Sequence, residues 1–187
     1  MRISTSAIDP TSNNEWNTKM SELSDAVVVT INENFDEAMK KIRHCLDQLN
    51  DEQIWWRPQE GMNSIGNLLL HLSGNVTQWI MAGIGGEPDN RDRPGEFSAD
   101  GVMNKSELID RLQNTVNVAK QTLNEVPESE LLSPRKIQAF ETHVLGAALH
   151  VVSHFHGHMQ EIIWLTRSQL GADYSFEWAP KTPEQGA

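Results

Sequence analysis

Hydrophobic positions recur at helical spacing over most of the chain. From about residue 21 to 49, apolar side chains occupy every third or fourth position, and the same spacing returns over about 64–84, 104–126 and 141–170. This period places the apolar residues of each segment on one face of an α-helix. The pattern therefore predicts four long amphipathic helices, and such a set is typical of an all-α four-helix bundle.

Residues with strong preferences for helix ends support these boundaries. Ser64 precedes the second predicted helix as an N-cap, and Asn104 with Glu107 three positions later resembles a capping box before the third. Gly171 is well placed as the C-cap of the fourth helix. Residues 50–58 predict a short helical turn that stops at a proline, and residues 135–140 predict an extended approach segment or a short strand.

The connection between the second and third predicted helices, residues 83–101, is unusually long. It contains five glycines and two prolines, so we predict an irregular crossover. Connections of this length are often lids over a functional site, with disorder or a simple crossover as the alternatives. Arg91 and Arg93 in this segment could bind a carboxylate, but we favour surface ion pairs with neighbouring acidic residues, among them Glu96.

The two ends of the chain lack a helical period. Residues 1–19 are rich in serine, threonine and asparagine, and we interpret them as a flexible lead. Residues 20–171 form the predicted bundle, and residues 172–187 form an irregular tail. No internal repeat or second domain is indicated, and a chain of 187 residues is long enough for one substantial core.

Charge and composition exclude several classes of partner. The net charge is −11 and no basic stripe offsets it, which argues against nucleic acid and against an anionic membrane surface. No apolar run approaches the roughly 20 residues that span a bilayer. The single cysteine, Cys45, lies on an apolar helix face, where we expect a small buried hydrophobe rather than a reactive thiol. We therefore expect a soluble, cytoplasmic protein.

Histidines are concentrated in the fourth predicted helix. His150, His154 and His158 stand four positions apart, so they share one helix face, and two imidazoles in this relation can bind one metal ion. His71 lies beside a leucine stripe in the second helix, where a buried imidazole needs a partner. Facing helices of a bundle can bring His71 to His154 and His158. The alternative is a set of packed histidines without metal.

Three segments of the chain, NSIGNLLLHLSGNVTQWI, RDRPGEF and HVVSHFHGHMQEIIWLTR, resemble the DinB-like superfamily. The resemblance covers about residues 21–170. That superfamily consists of metal-binding four-helix bundles and includes thiol-dependent transferases of the bacillithiol and mycothiol type. The resemblance implies that His71, His154 and His158 bind a divalent metal ion and leave open positions for water.

The residues that follow the last histidine depart from the superfamily pattern. Many members continue as H-x-G-Q-I, whereas this chain has Gln160 and Glu161 in place of the glycine and glutamine. We expect Gln160 or Glu161 to orient an imidazole through a hydrogen bond. His150 has three interpretations, as a fourth ligand, as a base, or as an ordinary core histidine, and we favour the last.

A site of three neutral imidazoles suits Zn²⁺ or Ni²⁺, with Fe²⁺ and Mn²⁺ as alternatives. Such an ion can activate either water or a thiolate, so the residues alone support a hydrolase and a thiol transferase equally. The resemblance favours a thiol-transferase-like enzyme in which a metal-activated thiolate or water attacks a small electrophilic substrate. The expected partner is then a low-molecular-weight thiol.

Two further expectations concern partners. No nucleophile or acid–base pair is evident in the sequence, so a non-catalytic metal-binding bundle that binds a small molecule or a protein is the competing function. Pairing through helix faces would give a homodimer, to which Trp79, Trp164 and Met81 could contribute exposed apolar area.

Overall fold

The computed structural model describes the backbone of residues 10–178 and the side chains of residues 22–178. Six α-helices and one two-stranded sheet occur within these residues. In chain order the elements are α1 (Pro10–Asp47), α2 (Asp51–Trp55), α3 (Ile65–Val76), α4 (Arg93–Ser98), α5 (Lys105–Asn124), β1 (Pro134–Ile137), β2 (Phe140–His143) and α6 (Val144–Leu170). The helix α3 continues without a break as a π-helical segment, Thr77–Ala82.

Four long helices form the bundle that the hydrophobic period predicts. Helix α1 packs against α5 and α6, and α3 packs against the same two helices, so α1 and α3 occupy opposite corners. The interior between them is filled by apolar side chains, among them Phe35, Ile42, Leu68, Leu72, Leu112 and Phe155. An all-α four-helix bundle with a long crossover between its second and third long helices is thereby confirmed.

The first helix begins earlier than the sequence pattern indicates. Residues 1–19 were expected to be a flexible lead, but α1 starts at Pro10. Proline is tolerated in the first turn of a helix, and neither glycine nor a second proline follows before residue 21. A helix stabilised by its amphipathic part can therefore extend through this polar stretch. Residues 1–9 of the expected lead, and residues 179–187 of the expected tail, lie outside the described part of the chain.

The crossover was expected to be irregular, but it contains a short helix, α4. Asp92 caps it by accepting a hydrogen bond from the backbone N–H of Gly95 at 3.1 Å, and Pro94 lies in its first turn. The buried side chain of Asn67 in α3 donates to the carbonyl oxygens of Glu96 and Ala99, both at 2.9 Å. These bonds fix α4 against the bundle.

A β-hairpin precedes the last helix. Residues 135–140 were expected to be one extended approach segment or a short strand. They instead span the end of β1, the turn at 138–139 and the first residue of β2, and Ile137 lies opposite Phe140 in the antiparallel pair. The turn between the strands includes Gln138, whose φ of 56° lies in the left-handed region. Strand β2 leads directly into α6, where His143 acts as the N-cap by accepting a hydrogen bond from Gly146 at 2.9 Å.

Exposure of the apolar side chains corrects one expectation. Trp79 is 3% exposed and belongs to the core, with its ring 4.3 Å from that of His150 in α6, so it adds nothing to a surface for self-association. Trp164 remains 54% exposed, and Cys45 is fully buried as expected. Within the described residues, no helix combines the length and the apolar character that crossing a membrane requires.

Candidate metal centre

Helices α3 and α6 bring three of the predicted histidines together. The Nε2 atoms of His71 and His154 lie 3.0 Å apart. The ring of His158 meets both rings edge to face, with centroid distances of 4.9 Å to His71 and 4.5 Å to His154. One ligand nitrogen from each residue lies within 4.8 Å of the other two, so the cluster could hold a metal ion.

The donor set of the cluster fits a divalent ion of the zinc or nickel type. Imidazole nitrogens bind these ions at about 2.0–2.1 Å, and three of them leave at least one position for another ligand. His71 is only 5% exposed, whereas His154 and His158 are partly exposed, so the cluster has a buried side and an accessible side. This asymmetry is the one expected of a site that admits small molecules.

Glu96 of α4 orients His71 from the buried side. Its Oε2 lies 3.0 Å from Nδ1 of His71, and the side chain of Glu96 is only 8% exposed. A carboxylate beside Nδ1 accepts a hydrogen bond from the N–H of that nitrogen, and the lone pair of Nε2 is then free to face the cluster. In the tautomer that carries its proton on Nδ1, His71 donates to Glu96 and can bind a metal through Nε2. The Nη2 atom of Arg91 also lies 3.0 Å from Nδ1 of His71.

Arg91 holds Glu96 in place through two parallel hydrogen bonds. Its Nε donates to Oε1 at 2.7 Å and its Nη2 donates to Oε2 at 2.8 Å, with the side chain of Arg91 only 4% exposed. Burial opposes ionisation of Glu96, but the hydrogen bonds from Arg91 and His71 outweigh it, and the pKa of Glu96 is lowered. We had expected Arg91 to form an ion pair at the surface, but its pair with Glu96 is buried. Arg93 instead lies over the ring of Phe97, with 4.9 Å between guanidinium and centroid.

Close approach between α4 and α3 depends on Gly74. A Cβ atom at this position would overlap Oε1 of Glu96 and lie 3.0 Å from Nε of Arg91. Glycine inside a helix lowers helix stability, so its presence here has a packing reason. Without a side chain at residue 74, the carboxylate of Glu96 can lie directly against the helix that carries His71.

Glu161 orients His158. The sequence predicts this role for either Gln160 or Glu161. Its Oε2 lies 2.8 Å from Nδ1 of His158, one helix turn earlier, and the side chain of Glu161 is 38% exposed. Gln160 lies instead in a shallow surface groove with Trp164 and Arg167. Among the residues with described side chains, no hydrogen bond joins Gln160 to an imidazole.

His154 and His150 differ in their relation to the cluster. Burial, followed by the positive charges of His158 and His71 when these are protonated, lowers the pKa of His154 to about 4. His154 is therefore neutral near pH 7, the form that binds metal. His150 lies outside the group of three nitrogens, with its ring 4.3 Å from the ring of Trp79 and 6.1 Å from that of His154.

Glu96 and Arg91 are the site residues whose role the sequence analysis missed. A signal for them was present in the crossover, since Asp92, Pro94 and Glu96 form the usual start of a helix, with a cap, a proline and an acidic residue in the first turn. A helix at this point would have indicated that Glu96 has a fixed position. Nothing in the local pattern indicates which histidine it meets.

Comparison with known proteins places the chain in a family. Residues 11–182 match the family model described as "Protein of unknown function (DUF1572)". No curated protein matches the chain in sequence. Solved structures with a similar fold include a DinB-like protein from Bacillus cereus at 14% identity, with a TM-score of 0.61 over 74% of this chain and 90% of that one.

Two further structures support the same fold. A conserved protein from Enterococcus faecalis has 17% identity and a TM-score of 0.64, covering 76% of this chain and 96% of its own. A DinB-like protein from Bacillus subtilis has 12% identity and a TM-score of 0.60, covering 79% and 96%. At such identities the similarity concerns the fold. The chain therefore belongs to the DUF1572 family and has the fold of the DinB-like proteins.

Proposed function

We propose that the protein is a divalent-metal-dependent enzyme with thiol-transferase-like activity, in which His71, His154 and His158 bind the ion. The observation that carries this proposal is the convergence of three imidazole nitrogens within 4.8 Å. Zn²⁺ or Ni²⁺ is the preferred ion, with Fe²⁺ or Mn²⁺ as alternatives. When bound, such an ion lowers the pKa of an adjacent thiol or water and so produces a nucleophile near neutral pH.

The residues of this chain prepare the site for that chemistry. Glu96 and Glu161 each accept a hydrogen bond from the Nδ1 of a ligand histidine, which holds the ring orientation and increases the basicity of Nε2. Arg91 keeps Glu96 ionised in a buried position. The ring of Phe97 covers one side of His71 at a centroid distance of 4.8 Å and limits the access of water there.

A low-molecular-weight thiol is the proposed co-substrate, and a small electrophile is the group acceptor. The resemblance to thiol-dependent transferases supports thiol over water, so hydrolysis is the second choice. A cytoplasmic location would suit this chemistry, because thiols remain reduced there. We also propose a homodimer that uses the exposed Trp164, and sedimentation as a monomer at micromolar concentration would contradict this part.

The metal content of the untagged protein tests the site. We expect about one equivalent of Zn or Ni per chain by plasma mass spectrometry, and loss of that metal in His71→Ala and in His154→Ala. His156→Ala is a matched control on the same helix, because His156 points to α1 and its Nε2 lies 3.1 Å from the carbonyl oxygen of Asn34. Absence of metal from the parent protein, even after reconstitution, would contradict the proposal.

A non-catalytic metal-binding bundle is the alternative function. The partly exposed ring of Phe97 against His71 favours it, because an aromatic ring beside the cluster also suits a bound small molecule or a protein partner. A panel of thiols with a small aryl or epoxide electrophile separates the two functions. Turnover by the metal-loaded parent, absent in His154→Ala, supports the enzyme, whereas binding without turnover supports the alternative.

A further inference from the structure

Asn75 is a buried amide that has no role in the metal site described above. It lies in α3 one turn after His71, and the residue is 5% exposed. Its Oδ1 is fully buried and has no hydrogen-bond partner among residues 22–178, whose side chains the structure describes. Buried polar atoms in folded proteins almost always have a partner, so an exception of this kind points to a further interaction.

The neighbours of Asn75 on the same helix face show where its side chain points. His71, four residues earlier, meets His154 of α6 at 3.0 Å between their Nε2 atoms. Trp79, four residues later, meets His150 of α6 at a centroid distance of 4.3 Å. Residues four apart in an α-helix lie above one another, so Asn75 shares with His71 the face of α3 that meets α6.

The opposite helix offers Asn75 two stacked imidazoles. The rings of His150 and His154 are nearly parallel, with centroids 6.1 Å apart. One of the two, His154, belongs to the three-histidine cluster, and the other does not. Asn75 therefore lies one helix turn from the ligand His71, on the helix face that meets these two imidazoles.

We propose that Oδ1 of Asn75 accepts a hydrogen bond from the bound thiol, and that the site selects thiols with an O–H or N–H group close to the sulfur. This inference rests on the proposed function, since it requires a thiol at the histidine cluster. A sulfur placed beside His154 puts the next atoms of the ligand near Asn75. A donor on those atoms satisfies the buried oxygen, whereas a thiol without a donor leaves it unpaired.

Selectivity of this kind has a clear energetic origin. A site built to form a hydrogen bond rejects an analogue that lacks the group, because the buried polar atom of the protein then stays desolvated without a partner. A neutral hydrogen bond of ordinary strength corresponds to about a tenfold difference in affinity. We therefore expect 2-mercaptoethanol to bind about tenfold more tightly than 2-methoxyethanethiol, which has an acceptor but no donor beside its thiol.

The experiment titrates both thiols into the full chain loaded with Co²⁺ and follows the sulfur-to-cobalt absorption. In Asn75→Leu we expect the ratio of the two affinities to fall from about ten to about one, with the binding of 2-methoxyethanethiol and the cobalt content unchanged. Asn32→Leu is a matched control, because Asn32 also has an unpartnered buried oxygen but lies on α1 and donates to Asn124. Asn32→Leu should keep the same ratio of the two thiol affinities as the parent protein.

Thermal unfolding of the metal-free proteins separates ligand binding from a structural role. Leucine removes an unpaired buried oxygen, so Asn75→Leu should unfold at the same temperature as the parent or a higher one. A purely structural Asn75 would lower that temperature and leave the thiol ratio unchanged, which would overturn the inference. Asn75→Asp, which keeps the shape and the acceptor, must retain the preference, and loss of the preference there would also contradict it.

Failure of this inference and failure of the proposed function give different results. Equal binding of the two thiols by the parent protein overturns the role of Asn75 but leaves thiol binding at the metal intact. No sulfur-to-cobalt absorption with either thiol, at one equivalent of bound cobalt, contradicts the thiol function and the inference with it.

Discussion

Two carboxylates contact the histidine cluster through the same type of hydrogen bond, but their surroundings differ. Glu96 reaches His71 from the crossover, 25 positions along the chain, and is 8% exposed with Arg91 at both oxygens. Glu161 reaches His158 from the next turn of the same helix and is 38% exposed. Breaking a buried ion pair is costly, whereas an exposed pair contributes little. The α4 side of the cluster is therefore the rigid side, and the α6 side is adjustable.

The largest expected difference follows from truncating the buried carboxylate. Glu96→Ala leaves the guanidinium of Arg91 buried without its carboxylate, with Gln78 still accepting a hydrogen bond from Nη1, and we expect the free energy of unfolding to fall by about 3–5 kcal/mol. Metal affinity should fall about 10- to 100-fold, because His71 loses the group that orients it. Chemical denaturation of the metal-free protein and a competitive metal titration measure the two effects.

A double variant controls for the cause of this loss. Arg91→Met combined with Glu96→Leu removes both charges, so most of the stability should return while the metal affinity stays low. A double variant as unstable as Glu96→Ala would show that the ion pair is not the reason for the loss.

Gly74→Ala perturbs the α4 side of the cluster through steric overlap, without removing a charge. The added methyl group would overlap the carboxylate of Glu96, and we expect a loss of about 1–3 kcal/mol in unfolding free energy, as for other overpacked sites. Gly157→Ala is the matched control, because this glycine is also inside a helix but a Cβ there meets nothing within 4 Å. The control should gain up to about 1 kcal/mol from helix propensity. Equal behaviour of the two variants would contradict the close approach of α4.

The pH dependence of protein stability gives a further test of the buried position of Glu96. The pKa of Glu96 is lowered in the folded protein from its ordinary value of 4.5, so the folded chain binds fewer protons at this site than the unfolded chain does. Its contribution to stability is complete above pH 4.5 and is lost as the pH falls through the folded pKa. The metal-free parent should therefore lose stability on acidification more steeply than Glu96→Gln, as measured by denaturation midpoints. Parallel curves would contradict the assignment.

The smallest effect is expected at the exposed carboxylate. Glu161→Ala removes a partly solvated pair within one helix, and we expect a change of less than about 1 kcal/mol in unfolding free energy. His158 can rotate after the substitution, so metal affinity should fall less than in Glu96→Ala. A loss of metal as large as that in Glu96→Ala would show that both sides of the cluster are rigid.

The difference between the two carboxylates also explains what could be predicted from the sequence. Helical spacing identifies Glu161 beside His158, because residues three apart on a helix are neighbours whatever the rest of the fold does. The same argument places His154 and His158 on one face. The long helices were predicted for a similar reason, since each apolar stripe is a local pattern that burial in the bundle preserves.

The role of Glu96 could not be predicted in this way. Its contact with His71 depends on how Asn67 holds the crossover and on the space that Gly74 leaves, and both are tertiary features. A carboxylate among several charges in a glycine-rich stretch resembles a surface residue when only its neighbours in sequence are considered.

The separation of the histidines along the chain has a consequence for the lifetime of the protein. His71 and His154 stand 83 positions apart, so an ion bound to both would cross-link distant parts of the sequence in a chain whose single cysteine cannot form an internal disulfide. Binding to the folded state alone stabilises it in proportion to the logarithm of the free metal concentration. Cells short of metal would then hold a larger unfolded fraction for proteases to degrade, and the abundance of the protein would follow the metal supply.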